Sequence, residues 1–134
     1  MEWSVWAKIG WVALGGALGA LCRTGAAEFI ASRVDRAALG TLAVNLAGCL
    51  LMGSLKAAVK HIDWGGPETR ALVFSGFLGA FTTFSTFEAD TVELWQGGAR
   101  IFAVGYVGAS VVGGVAMFAL GWAITSALLA QGGE

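Results

Sequence analysis

A cluster of hydroxyl and aromatic side chains interrupts an apolar part of the chain between Gly76 and Phe87. Hydroxyl groups donate hydrogen bonds and aromatic ring edges are positively polarised, so together they can replace water around a small anion. Glycine and hydroxyl residues also let a membrane helix unwind, and such breaks often mark ion or substrate sites. The cluster consists of four phenylalanines, three threonines and a serine: Phe77, Phe81, Phe84, Phe87, Thr82, Thr83, Thr86 and Ser85.

Helical spacing would order these side chains into two stripes. Phe84 and Phe87 are three residues apart and would share one helix face, while Thr83 and Thr86 would share another face nearby. The same residues are also compatible with ordinary close packing, in which hydroxyl groups bond back to carbonyl groups one turn earlier. The stretch alone leaves both interpretations open.

Other polar residues lie within apolar runs elsewhere in the chain. Asn45 carries amide donors and an acceptor, and in a bilayer we expect it to find a partner on another helix or in a water-filled path. Arg23 has no carboxylate at the helical neighbour positions, so it either snorkels to the headgroups or lines an anion-accessible vestibule. Asp90 belongs either to a solvated helix end or to a pore mouth. Tyr106 and Ser110 are four residues apart and would share a helix face.

The composition indicates that these residues belong to an integral membrane protein. The 134 residues are 57% hydrophobic and 13% charged, with a mean hydropathy of +0.74, whereas soluble domains contain roughly 25% charged residues. A membrane-spanning helix needs about 20 apolar residues. The sequence therefore predicts one all-α transmembrane domain over residues 1–134 with four spans and a break in the third. The predicted spans are about Val5 or Ile9 to Ile30, Leu39 to Val59, Glu68 to Trp95 and Ile101 to Gly133.

Several functional classes are disfavoured. A formal net charge of −1 gives no basic surface of the kind that nucleic acid binding requires. Cys22 and Cys49 lack neighbouring metal ligands, and the single histidine, His61, is expected in a loop. An intramembrane serine protease would need a base near Ser85 that no span supplies, so no enzymatic activity is expected. A four-span proton-coupled exporter is the alternative, but it needs an acid deep in the first span, and Glu28 lies near the end of that span.

The loop charges give almost no preferred orientation in the membrane. Four spans would put both termini on one side, and a chain without a charge bias can insert either way. Antiparallel pairing of two copies is therefore possible, with a homologous second subunit as the alternative. The basic residues divide into Lys8, Lys56, Lys60 and Arg70 on the terminal side and Arg33, Arg36 and Arg100 on the other.

Three motifs follow one another along the chain: Gly15-x-x-x-Gly19-Ala20-x-x-Arg23, Gly40-Thr41-x-x-x-Asn45-x-x-Gly48 and Gly76-Phe77-x-Gly79-x-x-Thr82-Thr83-Phe84-Ser85-Thr86-Phe87. Together they resemble the Fluc/CrcB family of fluoride channels, and the resemblance covers essentially the whole chain. It implies a fluoride-selective channel in the cell inner membrane, built as an antiparallel dual-topology dimer with two pores that are each lined by both subunits. Passive, potential-driven export of cytoplasmic fluoride would then give fluoride resistance.

The resemblance also implies roles for individual pore residues. Phe84 and Phe87 would offer ring edges to fluoride, with Asn45 beside them. The polar track and its supports would comprise Thr83, Ser85, Thr41, Tyr106 and Ser110.

Further roles lie outside the pore centre. Arg23 would shape an electropositive entrance, and Asp90 matches an acidic position that family members often carry after the phenylalanine pair. A structural sodium ion would be held at the dimer centre by the backbone carbonyl groups of Gly79 and Thr82. One departure is Gly114, where some relatives carry serine, and it affects the far end of the polar track and not its centre.

Overall fold

A computed structural model of the chain describes residues 5–34, 36–62 and 64–131, and all regular secondary structure within these ranges is helical. This confirms the predicted all-α class for the described residues. Three of the helices, the first, second and last, are long and apolar enough to cross a membrane. The helices in chain order are α1 (Val5–Val34), α2 (Ala37–Ile62), α3 (residues 67–81), α4 (Phe84–Gln96) and α5 (Arg100–Gln131).

The long helices extend beyond the predicted apolar spans. α1 continues past Ile30 to Val34, and α2 begins before Leu39 and continues past Val59. Hydrogen bonding along the backbone does not stop where the apolar residues stop, so a helix can continue into the polar interface. The predicted end of the last span, Gly133, lies outside the described residues.

The chain between α2 and α5 forms two helices separated by two extended residues. α3 begins at Pro67, a favoured first position because its missing N–H needs no helical partner there. It continues as a π-helix over Ala71–Leu78 and ends with the turn Gly79–Phe81. Thr82 then has φ −88° and ψ 150°, and Thr83 has φ −143° and ψ 119°. We call these two residues the break.

α2 and α5 run parallel and form the most extensive helix pair in the described structure. Near the start of both helices, the Arg36 guanidinium lies 4.6 Å from the centroid of the Phe102 ring. Near the other end, His61 Nε2 lies 3.1 Å from Ser126 Oγ. Because both helices point the same way, α3 and α4 together must carry the chain back along the length of the bundle.

Glycines permit close contact between helix backbones. Gly15 and Gly19 on α1 meet the backbone carbonyl groups of Leu72 and Phe77 on α3, where a Cβ atom would overlap with the carbonyl oxygen. Small residues at such positions let helices associate in lipid through van der Waals contact. The predicted Gly-x-x-x-Gly contact is therefore confirmed, and it fixes α3 against α1.

Candidate functional site

Asn45 holds the break through both ends of its side-chain amide. Its Nδ2 donates to the carbonyl oxygen of Thr83 over 3.0 Å, and the N–H of Thr83 donates to Asn45 Oδ1 over 2.8 Å. These bonds pair both backbone groups of a residue that has left the helical conformation, which would be costly to leave unpaired away from water. Asn45 therefore positions the break, and its second Nδ2 hydrogen takes no part in this pair of bonds.

Gly48, close to one turn beyond Asn45 on α2, makes room for the break. A Cβ atom at Gly48 would overlap with the γ-methyl group of Thr82. Thr82 is fixed on its other side, because its N–H and its Oγ1 both donate to the carbonyl oxygen of Leu78, over 3.1 and 3.0 Å. No site role was predicted for Gly48, and its position three residues after Asn45 is the signal that could have indicated one.

Hydroxyl groups cluster at the start of α4. Thr83 is the N-cap of this helix: its Oγ1 accepts from the N–H of Thr86 over 3.3 Å, as an N-cap oxygen commonly does from the third helical residue. Thr83 Oγ1 also donates to Thr86 Oγ1 over 3.0 Å, and Ser85 Oγ lies 3.4 Å from it. The predicted proximity of Thr83 and Thr86 is confirmed. Thr86 was not predicted as a site residue, although its spacing from Thr83 predicted that the two side chains would share a face.

The two phenylalanines of α4 share a face, as their spacing predicted. The ring centroids of Phe84 and Phe87 are 5.6 Å apart and the ring planes are tilted by 45°. The Phe87 ring also lies 5.5 Å from the ring of Tyr106 on α5. Phe84 is 70% exposed in the single chain. The structure therefore contains a tilted aromatic row whose outermost ring is uncovered.

A buried polar group lies behind this row. The Tyr106 hydroxyl donates to Asp90 Oδ2 over 3.0 Å and lies beside Thr41. Tyr106 is 3% exposed and Thr41 is 7% exposed. This bond joins α4 to α5 and supports Phe87 from behind, because the same tyrosine ring contacts Phe87.

An open groove of about 530 Å³ brings six of the predicted site residues together, namely Asn45, Thr82, Thr83, Phe84, Phe87 and Ser110. Ser110 Oγ is buried and finds no hydrogen-bond partner within the described parts of the chain. Gly114 also lines the groove, where a Cβ atom would lie 3.4 Å from Cys49 Sγ. The apolar lining was not predicted, because nothing distinguishes these residues from other membrane residues: Met52, Val111, Val115 and Phe118.

Some predicted residues lie outside this groove. Ser85 is exposed beside Thr83, and Gly79 is exposed just before the break. Arg23 is half-buried on α1 and is not among the residues that line the groove. Among the described residues, Arg23 has no hydrogen-bond or salt-bridge partner. Its role at the entrance therefore stays a prediction.

The backbone near the break has carbonyl groups whose usual helical donors are engaged elsewhere. In a continuous helix the carbonyl of Gly79 would accept from the N–H of Thr83, but that N–H donates to Asn45 Oδ1. The carbonyl of Thr82 would accept from the N–H of Thr86, which donates to Thr83 Oγ1. These are the two carbonyl groups predicted to hold sodium. Carbonyl oxygen atoms are ligands that suit a hard cation such as sodium.

Comparison with known proteins identifies the family. The family described as CrcB-like protein, Camphor Resistance (CrcB), matches residues 10–122, which is most of the chain. The chain belongs to the CrcB family. This confirms the resemblance inferred from the three sequence motifs.

Three relatives of this CrcB chain illustrate the similarity. A "Fluoride-specific ion channel FluC" of Paracoccus denitrificans (strain Pd 1222) is 45% identical over 120 residues, covering 89% of this chain and 94% of the relative. The protein of the same name from Acidobacterium capsulatum is 42% identical over 122 residues, covering 90% and 97%. "Fluoride-specific ion channel FluC 2" of Listeria monocytogenes serovar 1/2a is 41% identical over 128 residues, covering 91% and 93%.

The relatives are named as ion channels, and channels are not enzymes. The CrcB chain is accordingly a non-enzymatic, multi-pass protein of the cell membrane, in agreement with its three membrane-length helices. Both predictions are confirmed.

Proposed function

We propose that this CrcB chain forms a fluoride-selective channel. Its relatives are named fluoride-specific ion channels. The observation that carries the proposal is the groove at the break, which is lined by the rings of Phe84 and Phe87 and by Ser110, whose buried hydroxyl finds no partner among the described residues. An unpaired buried donor is unfavourable unless a ligand or water completes it, and an anion in the groove would do so.

The chemistry of the groove suits a small anion that must keep moving. Every described residue that lines it is uncharged, so an anion would meet hydroxyl donors, an amide and aromatic ring edges but no fixed positive charge. Such dipoles can replace the hydration shell of fluoride without trapping the ion. The polar track would comprise Asn45, Thr83, Ser85, Thr41, Tyr106 and Ser110, with Phe84 and Phe87 at its centre.

The working unit in this proposal is an antiparallel dimer with two pores. The exposure of Phe84 and the open side of the groove favour a second subunit that completes the aromatic row. In each subunit, α3 and α4 would together form a fourth, broken membrane crossing between α2 and α5. The near-equal loop charges allow two copies to insert in opposite orientations, and a homologous subunit would serve the same purpose.

The remaining parts of the proposal concern charge. Sodium would lie at the dimer centre on the carbonyl groups of Gly79 and Thr82, whose usual helical donors are engaged elsewhere. Arg23 would make the entrance electropositive, and Asp90 would orient Tyr106 within the track. A negative-inside potential drives an anion outward at about 2.3 kcal/mol per charge per 100 mV, so passive export needs no coupled ion.

Reconstitution tests the proposed function. The purified protein is incorporated into liposomes loaded with potassium fluoride, valinomycin is added to clamp the voltage, and efflux is followed with a fluoride electrode. Chloride-loaded liposomes provide the parallel control. We expect rapid fluoride efflux and no chloride efflux. A folded dimer that releases no fluoride, or releases both halides equally, would contradict the proposal.

A further inference from the structure

A second open cavity, of about 570 Å³, concentrates positive charge. It is lined by Lys8 from α1, Lys56 from α2 and Arg70 from α3, with Ser75 also in its wall. No carboxylate is among the described residues that line it. Basic side chains from three separate helices therefore line one cavity, and their N–H donors can converge on an anion within it. We call this the basic cavity.

The basic cavity opens near one membrane surface. Lys8 is in the first turn of α1, Lys56 is in the last third of α2, and Arg70 is close to the start of α3. Tryptophans mark the same end of the bundle, since Trp6 is 79% exposed near the start of α1 and Trp64 precedes α3. Tryptophan is enriched at the level of lipid headgroups, so the cavity faces that level.

The cations are supported by neighbouring groups. Lys56 Nζ lies 4.8 Å from the centroid of the Phe74 ring, which also lines the cavity. Arg70 Nε donates to the carbonyl oxygen of Gly65 over 2.9 Å, which sets the direction of the guanidinium group. Apart from Ser75, the other residues that line the cavity are apolar, namely Val59, Pro67, Ala71 and Phe74. The cavity thus combines oriented cationic donors with an apolar surface.

From this arrangement we infer that the basic cavity binds the phosphate group of an anionic phospholipid. A phosphodiester offers several acceptor oxygens to lysine and arginine donors, and basic pockets between membrane helices bind lipid headgroups in this way. The apolar wall would contact the glycerol and upper acyl chain, which a phosphate ion from solution lacks. None of its residues lines the groove at the break, so the inference does not depend on ion conduction.

Native mass spectrometry of the purified protein in an uncharged detergent tests this inference. Phosphatidylglycerol and phosphatidylcholine with identical acyl chains are titrated separately, and inorganic phosphate forms a third titration. We expect the wild type to bind phosphatidylglycerol more tightly than phosphatidylcholine. The double variant Lys8→Gln/Lys56→Gln should bind phosphatidylglycerol about 25-fold more weakly, because each lysine near an anionic lipid contributes roughly fivefold.

Two variants separate the basic cavity from general attraction between charges. Lys60→Gln removes the same charge from the same end of α2. Lys60 is not among the residues that line the cavity, and its Nζ lies 5.4 Å from the centroid of the Trp122 ring, so the affinity of this variant for phosphatidylglycerol should equal that of the wild type. Lys8→Arg/Lys56→Arg keeps the charges and should retain binding. Equal loss in Lys60→Gln, or no preference for phosphatidylglycerol in the wild type, would overturn the inference. If inorganic phosphate binds and the lysine substitutions weaken it, while neither lipid is preferred, then the cavity binds a free phosphate ion and not a lipid headgroup.

Discussion

The contact between Gly48 and Thr82 should control whether the break can form. Gly48→Ala would put a Cβ atom into the γ-methyl group of Thr82, which its bonds to Leu78 keep from moving freely. The same Cβ atom would lie 3.3 Å from the Phe81 ring, a tighter contact than usual. Relief of the overlap requires the break to shift away from α2, and that shift stretches the two bonds between Asn45 and the break.

The size of the effect follows from the atoms involved. Overpacking by one methyl group costs about 1–3 kcal/mol, so Gly48→Ala should destabilise the fold by that amount. Thr82→Ser removes the methyl group but keeps the hydroxyl that bonds to Leu78, and it should cost about 0.8 kcal/mol for one buried carbon. In the double variant the clash is absent, and alanine also favours the helix over glycine. The double variant should therefore be no less stable than Thr82→Ser alone.

Chemical unfolding in detergent and fluoride efflux from liposomes measure these variants. We expect Gly48→Ala to lose stability and most of its fluoride efflux, and the added Thr82→Ser change to restore both. Gly10→Ala is the matched control, because nothing lies within 4 Å of a Cβ atom at Gly10. If the costs of Gly48→Ala and Thr82→Ser simply add in the double variant, the two residues are not coupled and the packing argument is wrong.

Four other substitutions test the site. Phe84→Ile or Phe87→Ile keeps apolar bulk but removes the ring edges, so fluoride efflux should stop while the dimer remains folded by size-exclusion chromatography; efflux at the wild-type rate from both would exclude the aromatic mechanism. Asn45→Asp replaces the Nδ2 donor with a carboxylate oxygen that faces the carbonyl oxygen of Thr83 and adds negative charge, so efflux should be lost; unchanged efflux would contradict both the donor role and the positioning role of Asn45. Tyr106→Phe removes the donor to Asp90 and should lower the free energy of unfolding by about 1.5–3 kcal/mol; a stability equal to that of the wild type would show that this bond contributes nothing.

Local patterns in the sequence predicted the local parts of the site. Hydropathy predicted four spans, of which the first, second and last are membrane-length helices in the structure, and the spacing of Phe84 and Phe87 predicted that their rings would meet. The hydroxyl pair at Thr83 and Thr86 was predicted in the same way. These features depend on helical periodicity alone, so the positions along the chain are sufficient to infer them.

Contacts between distant residues were beyond such reasoning. Asn45 and Thr83 are 38 residues apart, and no periodic pattern indicates which of several polar residues an asparagine will meet. The π-helix of Ala71–Leu78 was also not predicted, because apolar residues interrupted by Ser75 and Gly76 do not distinguish a π-helix from an α-helix. This segment packs against Gly15 and Gly19 of α1, and the sequence did not indicate which helix would meet those glycines.

The bonds between Asn45 and Thr83 also constrain the order of events during synthesis in the cell. A nascent segment comprising residues 67–96 cannot pair the backbone of Thr83 with Asn45 until α2 is beside it in the bilayer. Before that contact, a continuous helix is the conformation that leaves the fewest backbone groups unpaired in lipid. The segment should therefore insert as a helix first and unwind second, so that the break forms only while the helices assemble into the bundle.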